Sequence, residues 1–148
     1  MKNVKFIVLL LLIVVCDSSC PSTWYAIPDN RCIKVIFPRN VAMIKIHTSK
    51  LCEKYTIGTK VASYISVTSP MDMAILNKFS PWIQNFYLDW NYVGSNYYYS
   101  DGGLIDIVEY SLTDITVQVG DCVGVSFLHQ GFFADCLLSC GYVCEIKL

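Results

Sequence analysis

The sequence predicts a single α+β domain tied by disulfide bonds. Two segments with helical spacing come early in the chain, and many short strand-like segments follow them. About 130 residues after an apolar N-terminus are enough for one domain with a core. Eight cysteines occur among 148 residues, and four of them lie between Cys122 and the C-terminus. A cysteine-rich chain of this length is typical of an oxidising compartment, so we expect an extracellular protein.

The N-terminus has the pattern of a secretory signal peptide. Lys2 and Lys5 precede an unbroken apolar run at 6–15, and small residues follow it. Ten apolar residues are too few for a membrane-spanning helix, which needs about 20. We therefore expect residues 1–19 to be a signal peptide, residues 20–148 to be the domain, and the protein to be secreted. Loss of Cys16 with the leader would leave an odd number of cysteines.

Net charge and motif content exclude several classes of protein. The formal charge is −1, and removal of the two leader lysines would make it −3. A chain that is not basic is not expected to bind nucleic acid. No second apolar stretch is long enough to span a membrane, and no catalytic triad, carboxylate pair or phosphate-binding loop is present. We therefore expect no nucleic-acid partner, no membrane span and no enzymatic activity.

The first half of the domain contains the predicted helices. A hairpin closed by cysteines is expected at 20–32, and a strand at 33–37 follows it. Apolar positions spaced three and four residues apart predict a helix at 41–55, ended near Gly58. A weak alternation predicts a strand at 60–67. A second helix is expected at 71–79, because Ser69 suits the N-cap, Pro70 the first turn and Asp72 the positive end of the helix dipole.

The second half is predicted to be mostly strands around one long loop. Strands are expected at 82–88, 115–119, 122–128, 131–135 and 142–147. Residues 89–103 are rich in Tyr, Asn, Gly and Ser without a clear period, which predicts a long, ordered loop.

This loop is the candidate ligand-binding region. Tyrosine and asparagine are favoured in binding loops because they provide amphipathic contact area at low entropic cost. The candidate residues are Trp90, Asn91, Tyr97, Tyr99 and Asp101. The alternative is that alternate tyrosines pack the loop onto the core, and both interpretations can hold for different residues.

Several motifs, in this order and spacing, resemble those of the C-type lectin-like domain family. The resemblance extends from Cys20 to Glu145. The matching segments are Cys20-Pro21-Ser22-Thr23-Trp24, Cys52, Gly58-Thr59-Lys60-Val61-Ala62-Ser63, Ser69-Pro70-Met71-Asp72, Trp82-Ile83, Tyr97-Tyr98-Tyr99-Ser100-Asp101-Gly102, Tyr110, Cys122-Val123 and Tyr142-Val143-Cys144-Glu145. The chain departs from the family where Gln84-Asn85 replace Gly-Leu and where tyrosine replaces tryptophan.

The resemblance implies a double-loop fold with two helices flanking antiparallel sheets and adjacent termini. It also implies three disulfide bonds: Cys20–Cys32, Cys52–Cys144, and Cys122 with either Cys136 or Cys140. The spacing in the family favours Cys136, which would leave Cys140 as a spare thiol that could link two copies of the chain.

The calcium ligands of sugar-binding family members are missing here. Calcium needs six to eight oxygen ligands. The segment between Tyr110 and Cys122 lacks the Glu-Pro-Asn type triplet, and Phe132-Phe133-Ala134-Asp135 stands in place of Trp-Asn-Asp. We therefore expect no metal and no cofactor.

The expected function is that of a short, secreted, single-domain binding module whose ligand is a glycan or a protein surface. The competing expectation is an extracellular interaction or structural protein, which could be a homodimer linked through Cys140.

Overall fold

A computed structural model describes residues 19–37 and 41–148, with the side chains of 115–117 excepted. Residues 1–18 of the predicted leader, with Cys16 among them, lie outside the described residues. The helices are α1 Met43–Thr48 and α2 Pro70–Asn77, with 3-10 turns at Glu53–Tyr55 and Ile107–Tyr110. The strands are β1 Tyr25–Ile27, β2 Arg31–Ile36, β3 Ser63–Tyr64, β4 Asn85–Val93, β5 Asn96–Tyr99, β6 Leu104–Ile105, β7 Thr113–Val119, β8 Cys122–Ser126, β9 Gly131–Asp135 and β10 Tyr142–Lys147.

The strands form two sheets. The first has the order β1-β2-β10-β3 and brings both ends of the domain together, because β10 pairs antiparallel with β2. The second has the order β6-β5-β4-β8-β9-β7, and within it only the β7–β9 pair is parallel. None of the helices in the described part of the chain is long and apolar enough to cross a membrane.

Three disulfide bonds tie this architecture. Cys20 is bonded to Cys32, Cys52 to Cys144 and Cys122 to Cys136. These are the pairs that the family resemblance implies and favours. The Cys52–Cys144 bond spans 92 residues and joins the segment after α1 to the last strand. It therefore restricts the unfolded chain more than the two short-range bonds do.

The first helix is much shorter than the sequence predicts. α1 ends at Thr48, and Ser49 is extended, so residues 41–55 do not form one helix. The hydroxyl of Tyr64 donates a hydrogen bond of 2.6 Å to the carbonyl oxygen of Ile46. A side-chain donor thus satisfies a carbonyl that a continuing helix would have used, and this explains why helical spacing alone overestimated the length.

The second helix begins as predicted. The Ser69 side chain accepts a hydrogen bond of 3.2 Å from the backbone N–H of Asp72, and Pro70 occupies the first turn. The strand predicted at 60–67 is reduced to β3, and the strand predicted at 82–88 begins later and continues through Val93. The core lies between the sheets and α2, around Trp90, Phe86 and Phe132.

Candidate functional site

The region predicted as a long loop is a β-hairpin. β4 and β5 pair antiparallel from Trp90 with Tyr99 to Val93 with Asn96. Gly94 and Ser95 form the turn, with φ values of 56° and 69°. Two consecutive residues with positive φ are typical of a two-residue hairpin turn whose twist matches that of the strands. The prediction of an irregular loop at 89–103 is therefore wrong for most of its length.

The hairpin buries two of the five candidate ligand-binding residues. Trp90 is 2% exposed and Tyr97 is 3% exposed, and both pack against the ring of Phe132. The Tyr97 hydroxyl donates a hydrogen bond of 2.7 Å to Asp114. Burial and this hydrogen bond both raise the pKa of Tyr97. The prediction that Trp90 and Tyr97 belong to an exposed binding surface is corrected, because strand alternation directs them into the core.

Tyr99 has an intermediate position at the edge of the core. Its ring packs edge-to-face on Trp90, and its hydroxyl lies 3.0 Å from the hydroxyl of Tyr110. The side chain remains half-buried, so part of it is available to a ligand. Asn91 is also half-buried but lies on β4 opposite Tyr98, and it does not line the groove described next.

A groove with a volume of about 480 Å³ runs between the hairpin and the segment that follows β3. We call it the hairpin groove. Tyr99, Ser100 and Asp101 line one part of it, and buried Trp90 also contributes to the lining. Its other lining residues are Ser63, Tyr64, Ile65, Ser66, Val67, Thr68, Asp89, Glu145 and Lys147. Hydroxyl groups thus line the groove together with groups of both charges.

The segment after β3 alternates between core and groove. Ile65 and Val67 are buried, whereas Ser66 and Thr68 are exposed. The indole of Trp90 donates a hydrogen bond of 3.1 Å to the carbonyl oxygen of Val67, which attaches this segment to the hairpin. These residues were not among the binding residues predicted from the sequence. The feature that could have identified them is the alternation of apolar and hydroxyl-bearing residues from 65 to 68.

A buried ion-pair network lies beside the groove. The guanidinium of Arg31 pairs with the carboxylates of Asp72 and Glu145, and its distance to Glu145 is 3.3 Å. Glu145 also accepts a hydrogen bond of 3.2 Å from the backbone N–H of Ser66. The network therefore joins β2, β10 and α2 to the segment that lines the groove.

The two carboxylates of this network have opposite pKa shifts. Burial alone would raise the pKa of Asp72, but hydrogen bonds from Arg31, Thr68 and Ser69, with the Arg31 charge, lower it below its ordinary value. Burial raises the pKa of Glu145. The hydrogen bond from the Ser66 N–H and the charge of Arg31 lower this pKa, but they offset only part of the increase. Asp72 is thus the better stabilised anion, consistent with its additional donors.

The exposed carboxylates are largely engaged by backbone and side-chain donors nearby. Asp101 accepts from Gly103 N–H at 2.9 Å, Asp106 from Val108 N–H at 3.0 Å and Asp135 from Leu137 N–H at 2.9 Å. Asp114 accepts from Tyr97, as described above. Asp114 on β7 is in register with Phe132, which lies three residues before Asp135 on β9, so the two positions are separated by about 10 Å measured along the strands.

These positions do not fit the calcium site of sugar-binding C-type lectins. Calcium requires several oxygen ligands around one point. Within the described residues, three ligand atoms from His, Cys, Asp or Glu side chains come within 4.8 Å of one another only at His47, Asp121 and Cys122. Cys122 is in a disulfide bond, which leaves two groups there. The carboxylates of the described residues therefore do not gather around one point.

Cys140 carries a free thiol among the described cysteines. It is 6% exposed, and burial raises its pKa to about 12. A buried, protonated thiol is a poor nucleophile and is poorly placed to form a bond to a second chain.

Comparison with solved structures decides the fold. The C-type lectin CEL-I from Cucumaria echinata is 16% identical, with a TM-score of 0.58 over 87% of this chain and 98% of that chain. The carbohydrate-recognition domain of the mouse scavenger receptor C-type lectin is 16% identical, with a TM-score of 0.61 over 87% and 98%. The chain has a C-type lectin-like fold. The predicted α+β class and double-loop architecture are thereby confirmed.

Other solved C-type lectin domains show the same likeness at low identity. That of murine dendritic cell inhibitory receptor 2, solved in complex with an N-glycan, is 13% identical with a TM-score of 0.60, over 88% of this chain and all of that one. No family model matches the chain, and no curated protein matches it in sequence.

Proposed function

We propose that this protein is an extracellular binding module that takes a carbohydrate in the hairpin groove without using calcium. The observation that carries the proposal is the groove itself, with a volume of about 480 Å³. Ligand sites are usually concave, with a few well-placed polar groups, and this groove has both properties. Three disulfide bonds favour an extracellular location, since such bonds persist in oxidising compartments.

The chemistry of the groove suits a polyhydroxylated ligand. Ser66, Thr68 and Ser100 bear hydroxyl groups that both donate and accept hydrogen bonds, as sugar hydroxyls do. Tyr99 adds half-buried aromatic area, and Asp101 adds a strong acceptor. The same fold occurs in a C-type lectin domain solved in complex with an N-glycan and in one solved in the presence of a GlcNAc2Man3 oligosaccharide. These two structures support a carbohydrate as the ligand.

Calcium independence is proposed because the carboxylates are dispersed. Asp101, Asp106 and Asp135 each accept a hydrogen bond from a nearby backbone N–H. A lectin site without the ion would depend on direct hydrogen bonds and aromatic contact. The proposal also includes no enzymatic role, in keeping with the lectin domains that share this fold.

The test is a glycan array probed with the intact chain and three variants. Ser66→Trp fills the groove from an exposed position, and Asp101→Asn keeps the turn acceptor but removes the charge. Glu109→Gln is the matched control, because Glu109 is exposed and does not line the groove. We expect binding to be lost in Ser66→Trp, weakened in Asp101→Asn and unchanged in Glu109→Gln. Equal binding by Ser66→Trp would contradict the proposal.

The second candidate is a protein-interaction module. Leu104 and Val108, which follow the hairpin, are large apolar residues with mostly exposed side chains. Exposed apolar groups of this kind are frequent where a partner protein docks. A disulfide-linked homodimer is the less favoured form of this candidate, because the Cys140 thiol is buried. Absence of any glycan signal, with a correctly folded chain, would favour this second function.

A further inference from the structure

A second groove lies at the opposite end of β4 from the hairpin turn. It has a volume of about 380 Å³ and is lined by Phe37, Trp82, Gln84, Asn85 and Ser139, with Ile83, Cys140 and Gly141. We call it the Trp82 groove. It shares no lining residue with the hairpin groove. The two grooves are therefore separate surfaces of the chain.

Two large aromatic side chains in this groove are exposed. Trp82 is 70% exposed and Phe37 is 54% exposed. The neighbouring side chain of Ile83 is buried in the core, so the backbone at Trp82 is anchored while the indole remains in solvent. An exposed indole does not gain the free energy that burial of its apolar area would provide. Exposed aromatic side chains next to a groove are typical of an interaction site.

The groove is supported by a hydrogen-bonded backbone. Gly141 N–H donates to the carbonyl oxygen of Asn85 at 2.9 Å, and Tyr87 N–H donates to the carbonyl oxygen of Gly141 at 2.8 Å. Trp82 N–H donates to the carbonyl oxygen of Phe79 at 3.0 Å. Because these bonds hold both Trp82 and the β4–Gly141 side of the groove, a ligand would meet a largely preformed surface.

The polar side chains that the structure describes in this groove are neutral. Gln84 and Asn85 carry amides, each with a donor and an acceptor, and Ser139 carries a hydroxyl. The described residues that line this groove include no charged side chain, whereas the hairpin groove has Asp101, Lys147 and others. A charged ligand would lose hydration here without gaining an opposite charge. The lining therefore favours an uncharged ligand with many hydroxyl groups and an apolar ring face.

We infer that the Trp82 groove is a second binding site, which takes a neutral saccharide stacked on the indole of Trp82 and hydrogen-bonded to Gln84 and Asn85. The ring face of a pyranose would lie on the exposed indole, and its hydroxyls would pair with the two amides. The site is separate from the hairpin groove, so one chain could hold two saccharide units of a longer glycan.

The test is calorimetric titration of the intact chain with neutral cello-, chito- and manno-oligosaccharides. Trp82→Ala should weaken binding about tenfold, which corresponds to about 1.4 kcal/mol. Trp82→Phe should retain part of the affinity, because it keeps a smaller aromatic face, and Gln84→Ala should lose affinity by a few-fold. Leu128→Ala is the matched control, because Leu128 is an exposed apolar residue that lines neither groove, and this variant should bind as the original chain does.

Ser66→Trp separates this inference from the proposed function, because Ser66 lines the hairpin groove and does not line the Trp82 groove. Binding that persists in Ser66→Trp and falls in Trp82→Ala supports the Trp82 groove even if the hairpin groove binds nothing. Binding that is lost in Ser66→Trp and unchanged in Trp82→Ala overturns the inference. Failure of all three neutral oligosaccharide series to bind, or binding by acidic oligosaccharides alone, also overturns it.

Discussion

The indole Nε1 of Trp90 donates a hydrogen bond of 3.1 Å to the backbone carbonyl oxygen of Val67. This bond connects the β4–β5 hairpin to the segment on the other side of the hairpin groove. Trp90 also packs against the rings of Tyr99, Tyr110 and Phe132. Trp90, which was predicted to contact a ligand, therefore lies in the core and holds the two sides of the hairpin groove together.

Replacement of Trp90 should destabilise the fold strongly. Trp90→Ala removes a fully buried aromatic side chain and should lower the free energy of unfolding by about 3–5 kcal/mol. Trp90→Phe should cost less, but it leaves the Val67 carbonyl oxygen without its donor. Urea denaturation at neutral pH measures both. The control Trp82→Ala should change the free energy of unfolding by about 0.5 kcal/mol or less, because Trp82 is exposed. Equal losses in the free energy of unfolding for Trp90→Ala and Trp82→Ala would contradict the placement of Trp90 in the core.

The long-range disulfide should contribute more stability than the hairpin disulfide. Paired replacement of Cys52 and Cys144 by alanine opens a loop of 92 residues, whereas replacement of Cys20 and Cys32 opens one of 12. In the chain-entropy model the first loss exceeds the second by about 1.8 kcal/mol. Denaturant unfolding of the two double variants measures the difference. A larger loss at Cys20–Cys32 would contradict the expectation.

Acid should remove the contribution of Asp72. Because its folded pKa lies below the ordinary value of about 3.9, the ionised carboxylate stabilises the fold above that pH. The stability that the Asp72 carboxylate contributes is lost as the pH falls from this ordinary value through the lowered pKa of the folded protein. Asp72→Asn should therefore cost about 2 kcal/mol at neutral pH and progressively less below pH of about 4.

Glu145→Gln is the comparison for this measurement. Burial raises the pKa of Glu145, so its ionised form is the less favoured one in the folded protein. Glu145→Gln should cost less at neutral pH than Asp72→Asn, and its cost should not shrink below pH of about 4 in the same way. Unfolding curves for both variants across this pH range provide the data. A pH-independent cost for Asp72→Asn would show that its charge contributes nothing.

The Cys140 thiol should resist alkylation in the folded protein. It is buried, and its pKa is raised to about 12, so little thiolate forms at neutral pH. Iodoacetamide labelling followed by peptide mass spectrometry should modify Cys140 rapidly only after unfolding. Rapid labelling of the native chain would disprove its burial. A dimer that is lost on reduction and absent from Cys140→Ser would instead restore the disulfide-linked homodimer.

The sequence predicted the parts of the fold that depend on local chemistry. The start of α2 follows from Ser69 and Pro70, and the strands at 131–135 and 142–147 have the predicted bounds. The end of α1 could not be predicted, because the donor to Ile46 comes from Tyr64, a residue distant in sequence. Contacts between distant segments override local spacing in such cases.

The candidate site was only partly predictable. The hairpin could have been recognised from Gly94-Ser95 between alternating aromatic residues, but the Tyr-rich composition favoured a loop. Composition identifies residues that bind ligands well without showing which of them are buried. Tyr99 and Asp101 line the hairpin groove. The contribution of Lys147 depends on the pairing of β10 with β3, which is a property of the whole fold.

The most direct test of the central claim is glycan binding by the intact chain in calcium and in excess chelator. The account predicts the same bound glycans and the same affinities in both buffers, with binding lost in Ser66→Trp under each condition. Binding that requires calcium and returns when calcium is added back would contradict the account, because the dispersed carboxylates of the described residues would then have to assemble into an ion site.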